Sequence, residues 1–186
     1  GFTLTGGSEE YGGGVYLVES SPTLIGCVIT GNTASDRGGG VYVSNASPRF
    51  VDCEISLNTS YDNGGGIYSE NSSLDLDGCV VSGNVQTWVY NYRGGGGIWS
   101  NSTAVLTGCE VSGNSAGGQG GGIHNDGASL TLTDTVVSGN VTSYGGGGIY
   151  QGSVSISGGS ISGNEASYGG GLYSCSGQVT NCLLIG

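Results

Sequence analysis

Residues Gly12–Arg37 read GGGVYLVESSPTLIGCVITGNTASDR, and the chain is built from copies of this stretch. Gly38 opens GGGVYVSNASPRFVDCEISLNTSYDN, and Gly64 opens GGGIYSENSSLDLDGCVVSGN. GGGI or GGGL returns at Gly95, Gly120, Gly146 and Gly169. A repeat of this size, rich in glycine and β-branched residues, is the signature of a solenoid.

Aligned on their glycines, the copies give four columns. Three are apolar: Val15, Val41, Ile67, Ile98, Ile123, Ile149, Leu172; then Leu24, Phe50, Leu76, Leu106, Leu132, Ile156, Val179; then Ile29, Ile55, Val81, Val111, Val137, Ile161, Leu184. Three apolar columns predict three short strands per turn, each with one face inward. The expected fold is all-β: a single-stranded parallel solenoid of about seven coils with three short parallel sheets. It forms one domain over residues 1–186, with coils starting near 12, 38, 64, 95, 120, 146 and 169. The fourth column is Asn32, Asn58, Asn84, Asn114, Asn140 and Asn164, a predicted structural ladder in which each amide bonds the next.

Composition sets the outer limits. There are 42 glycines, two prolines, no methionine, three arginines, no lysine and a net charge of −11. No basic stripe can be assembled, which argues against nucleic acid and anionic surfaces as partners. No apolar run approaches the roughly 20 residues of a membrane span, so this segment is not expected to insert. A polar, lysine-free surface points to an extracellular or cell-surface location. The sequence is expected to be a mature product or a piece of a longer chain. Phe2–Gly6 and Cys182–Gly186 both align with Cys27–Gly31, and neither end carries an amphipathic capping helix. The expected partners are therefore further coils of the same chain or a second copy stacked head to tail, with glycans as a further candidate.

The residue after each first apolar position is aromatic: Tyr16, Tyr42, Tyr68, Trp99, His124, Tyr150 and Tyr173. Strand alternation turns this column away from the core, so it reads as an exposed stripe and a candidate ligand-binding platform. The third coil carries an insertion, Val85–Gly94, whose Trp88, Tyr90 and Tyr92 would extend that platform.

Other constellations read as structural. Asp75 and Asp77 face the same way, but neighbouring coils place no acids beside them. Asp36 and Asp62 stack one coil apart without a matching acid in the third coil, and the expectation is no metal and no cofactor. His124, the one histidine, reads as a substitute flat ring. Cys27, Cys53, Cys79, Cys109 and Cys182 share one column at whole-coil spacings, unlike a zinc motif, and read as buried reduced thiols. Cys175 and Cys182 form a candidate terminal disulfide. Sequons mark Asn71 and Asn101 as candidate glycosylation sites, whereas Asn58 and Asn140 belong to the ladder.

The GGG[VI] starts at Gly12–Val15, Gly38–Val41, Gly64–Ile67, Gly95–Ile98, Gly120–Ile123, Gly146–Ile149 and Gly169–Leu172, with the asparagine column, carry a resemblance. The pattern resembles the repeats of polymorphic outer membrane proteins and right-handed parallel β-helix repeat proteins of the pectate-lyase-like superfamily. The resemblance implies a right-handed parallel β-helix and a role in surface display, adhesion or as an autotransporter passenger. It carries over no catalytic residue, because the lyase motifs are absent. The expected function is a non-enzymatic extracellular structural or adhesive module, with head-to-tail assembly into a filament as one expected form. The alternative is a carbohydrate-binding or carbohydrate-active β-helix that uses the aromatic stripe.

Overall fold

The computed structural model describes residues 1–89 and 93–185. Among these there is no helix: short strands follow one another through about seven coils. Every inter-strand pairing is parallel and joins equivalent residues of successive coils. Val15, Val41, Ile67, Ile98, Ile123, Ile149 and Leu172 lie over one another in strict register.

The first five coils carry four strand positions rather than three. In the second coil they are Val41–Ser44, Arg49–Val51, Glu54–Ser56 and Thr59–Ser60. The strands after the asparagine, among them Thr33–Arg37, Thr59–Ser60 and Ser115–Ala116, form a six-stranded sheet that the apolar columns do not announce. Their inward residues are Ala34, Ser60, Gln86, Ala116 and Thr142, all buried but small or polar. A strand whose inward side chains are alanine, serine and threonine leaves no hydrophobic signature.

There are nevertheless three sheets, because two of the four positions merge. In the sixth coil the corner is shortened and Ile149–Ser157 runs through both positions as one strand. It pairs with Ile123–Asn125 and with Ser129–Thr133 of the fifth coil, joining two stacks into one twelve-stranded sheet. The remaining sheet has eight strands.

The core is a narrow apolar column. Ile29, Phe50, Ile55, Ile67, Leu76, Ile98, Leu106, Leu132 and Ile149 are almost wholly buried, each burial worth about 1.5–3 kcal/mol. The asparagine ladder runs beside it. Nδ2 of Asn32 donates to Oδ1 of Asn58 at 3.0 Å, and the same bond repeats from Asn58 to Asn84, Asn84 to Asn114, Asn114 to Asn140 and Asn140 to Asn164 at 2.9–3.0 Å. Each Oδ1 also accepts the backbone N–H of the asparagine one coil earlier.

The glycine triplets follow from this stacking. Gly38 has φ of 67°, where an L side chain is strained. A Cβ on Gly40 would come 2.8 Å from Asn58 Nδ2 and 2.9 Å from the carbonyl oxygen of Gly66.

Candidate functional site

The aromatic column does point away from the apolar core, and its rings lie over one another. Centroids are 5.1 Å apart for Tyr16–Tyr42, 5.2 Å for Tyr42–Tyr68 and 4.5 Å for Tyr68–Trp99. The expected exposed stripe, however, is covered along most of its length. Tyr42, Tyr68, Trp99 and His124 are only 8%, 2%, 6% and 2% exposed. Only the ends are open, with Tyr16 at 57% and Tyr173 at 40%; Tyr150 is partly buried. The missed fourth strand and the turn after it supply the cover. Tyr11, at the end of Ser8–Tyr11, packs on Tyr42, and the Arg37 guanidinium lies 5.2 Å from the centre of the Tyr68 ring.

Beneath that cover lies a charged network. Asp62 is 1% exposed. Its Oδ2 accepts from Arg37 Nε at 3.4 Å and pairs with Arg93, whose guanidinium also sits over the Trp88 ring at 5.5 Å. Arg37 donates to the Tyr68 hydroxyl at 3.1 Å; Tyr68 donates to Glu70 Oε2 at 2.6 Å, and Tyr42 to Glu70 Oε1 at 3.3 Å. Burial, then the bond to Glu70, pushes the Tyr68 phenol well above the usual tyrosine range. Sequence reasoning missed this network, although a signal existed. Counting back two residues from the glycines places Asp36, Asp62 and Arg93 in one column. The coil that lacks a third acid supplies a cation instead.

The insertion is laid along this edge. Trp88 meets Tyr61 edge-on at 4.9 Å. The Gln86 amide donates to the carbonyls of Tyr61 and Trp88 and accepts from Gly118 N–H. The next coil makes room with Gly117 and Gly118: a Cβ on Gly117 would lie 2.7 Å from the Trp88 carbonyl oxygen. Tyr144 reaches across to donate to the carbonyl of Val89 at 3.2 Å. Trp88 is therefore half-buried and tied down rather than presented, while Tyr61 stays 51% exposed. Tyr90 and Tyr92 lie outside the described residues.

The carboxylate pair is also engaged. Arg49, one coil earlier, sits opposite Asp75 in the ladder and binds both acids, Asp75 at 3.2 Å and Asp77 at 2.8 Å. Two of the arginines meet at Asp62 and the third bridges this pair. No group of histidine, cysteine and carboxylate side chains able to hold a metal occurs among the described residues.

The thiols form a second ladder. The backbone N–H of Cys27 points at Sγ of Cys53, Cys53 at Cys79, and Cys79 at Cys109, each at 3.4 Å. Thr135 takes the next rung through its hydroxyl. Burial raises the Cys53 thiol, and the shared Cys79–Cys109 contact, followed by burial, raises Cys79. Cys175 and Cys182 are not bridged: both are free thiols. The Cys175 thiol points to the carbonyl of Tyr173 at 3.4 Å, and that of Cys182 to Leu183 at 3.9 Å, so each is satisfied locally. Asn71 and Asn101 are exposed, and Asn101 Oδ1 accepts the Asn71 N–H at 2.8 Å.

Among known proteins, residues 3–153 match the family model of the right handed beta helix region. No curated protein and no solved structure matches the chain. The family match covers most of the sequence and agrees with the parallel, in-register coils, so the chain belongs to the right-handed β-helix family.

Proposed function

We propose that the chain is a non-enzymatic structural rod, displayed outside the cell or on its surface, that presents adhesive or spacing surface rather than a catalytic cleft. The observation that carries this reading is that the candidate chemical groups are occupied by one another. Asp75 and Asp77 share Arg49, Asp62 holds Arg37 and Arg93, the ladder thiols and amides are engaged, and His124 is buried. The β-helix family includes enzymes and non-enzymes, so family alone does not decide. Incubation with a panel of polysaccharides tests the reading: no cleavage is expected. Depolymerisation lost on Arg49→Ala or Asp77→Ala would overturn it.

The end faces support a partner of the same kind. The last coil leaves an apolar recess of about 210 Å³ lined by Ile161, Gly171, Leu172, Leu184 and Ile185. At the other end Phe2 is exposed, and the strand Thr3–Thr5 pairs on one side only. Such a surface suits another β-helical coil, from further chain or a second copy. Light scattering tests the second copy: stacking raises the mean mass with concentration, and a fixed monomer mass would contradict it.

The second reading, glycan binding, rests on Tyr61 beside Trp88 at the insertion, since Trp99 is covered. Retention on a polysaccharide that is lost on Tyr61→Ala would favour it.

A further inference from the structure

The ring file is broken at one place, and the residue at the break is the chain's single histidine. From Tyr16 to Trp99 successive rings are stacked nearly parallel, tilted by 10°, 15° and 6°. Tyr150 and Tyr173 stack again at 19°. Between the two blocks His124 stands across the file, at 64° to Trp99 and 78° to Tyr150. Its Nδ1 is buried with no hydrogen-bond partner.

Among the described residues no carboxylate forms an ion pair with His124. Trp99 faces it from one coil and Tyr150 from the next, and Tyr150 is the titratable one of the two. Along its own strand the neighbour is the neutral Asn125; Asp126, two residues on, is exposed. In the turns that lead into these strands Gly95, Gly120 and Gly146 lie against the backbone of Trp99, His124 and Tyr150, and the described residues of the same turns include Arg93, Gln119, Ser143 and Tyr144. The Arg93 guanidinium is turned to Asp62 and Trp88. Charging a buried ring without a counter-ion is costly.

We propose that His124 is an acid-operated break point: on taking up a proton the imidazole leaves the file, and the turns closed over Trp99 and Tyr150 open with it. The expulsion exposes Trp99, which is otherwise covered, and frees the partly buried Tyr150. Burial alone draws the His124 pKa down to about 3 in the closed form. The open form titrates near the ordinary value of about 6.5. A depressed pKa in the closed form means that closure is fully favoured above about 6.5 and is lost as pH falls toward 3. Over that window the ratio of open to closed rises about tenfold per pH unit.

Trp88→Phe leaves Trp99 as the sole tryptophan. In this background, acrylamide quenching of Trp99 is followed from pH 7.5 to 3.5, with circular dichroism reporting whether the coils persist. The same titration is run on His124→Tyr, which restores a ring without a basic nitrogen. Quenching is expected to climb below about pH 6 with His124 and to stay flat with tyrosine. The same climb in both, or no climb with His124, overturns the proposal. Should the tyrosine variant fail to fold, the imidazole resonances of the parent protein decide. A ring that takes up its proton only as Trp99 becomes accessible supports the proposal; one that titrates with Trp99 still shielded, or that stays neutral with Trp99 shielded throughout the range, overturns it.

Discussion

An asparagine inside the ladder uses its whole hydrogen-bonding capacity. Asn84 Oδ1 accepts from the backbone and the side chain of Asn58, and its Nδ2 donates to Asn114 Oδ1 and to the carbonyl of Ile55. Asn84→Ala leaves these buried partners unmatched in two neighbouring coils. At about 1–3 kcal/mol for each unpaired group, partly relieved by relaxation, the expected loss is about 3–5 kcal/mol in urea unfolding. A loss below about 1 kcal/mol would contradict the ladder's role. Ser69 gives the opposite sign. Its inward hydroxyl is buried with no hydrogen-bond partner, at the position that Val43 fills in the preceding coil. Ser69→Val is expected to raise Tm by a few degrees, corresponding to about 1 kcal/mol; a lower Tm would contradict it. The ladder was legible in the sequence because one residue type repeats. The Arg37–Asp62–Arg93 cluster was not, because its column mixes acids with a base and its energy comes from pairing unlike groups.

At the scale of the element, stacking rather than local propensity decides what each position tolerates. Gly40 and Gly113 are both glycines of the repeat, yet they differ in what surrounds them. A Cβ at Gly40 meets the ladder amide and the next coil's backbone, whereas at Gly113, with φ of 61°, it meets nothing within 4 Å. Gly113→Ala is expected to cost about 1–2 kcal/mol, the price of a left-handed backbone. Gly40→Ala is expected to cost several kcal/mol more or to prevent folding, because neither neighbour can yield. Equal losses in thermal or urea unfolding would contradict the distinction. The three apolar columns announced three strand positions, but the fourth, with Ala34, Ser60 and Ala116 inward, stayed silent. That silence also explains why the rings were expected in the open. Alternation correctly turned Tyr42 and Tyr68 off the core, and the unseen strand and turn then folded Tyr11 and Arg37 over them.

For the whole molecule, the coil is the unit, and each coil is held chiefly by the two beside it. Irregularity is absorbed between neighbours: the insertion of the third coil is matched by Gly117 and Gly118 in the fourth, and the shortened corner of the sixth by the continuous strand Ile149–Ser157. The outward file Thr30, Ser112, Ser138 and Ser162 runs along one sheet through successive rungs and offers a direct ruler. With Cys175 and Cys182 changed to serine and the buried thiols left unreacted, spin labels are placed at Thr30 paired in turn with Ser112, Ser138 and Ser162. Electron–electron distances should lengthen by about 4.8 Å for each coil added, near 14, 19 and 24 Å before allowance for the labels. Distances that do not grow in equal steps along the series would contradict the in-register stack on which every file of side chains depends.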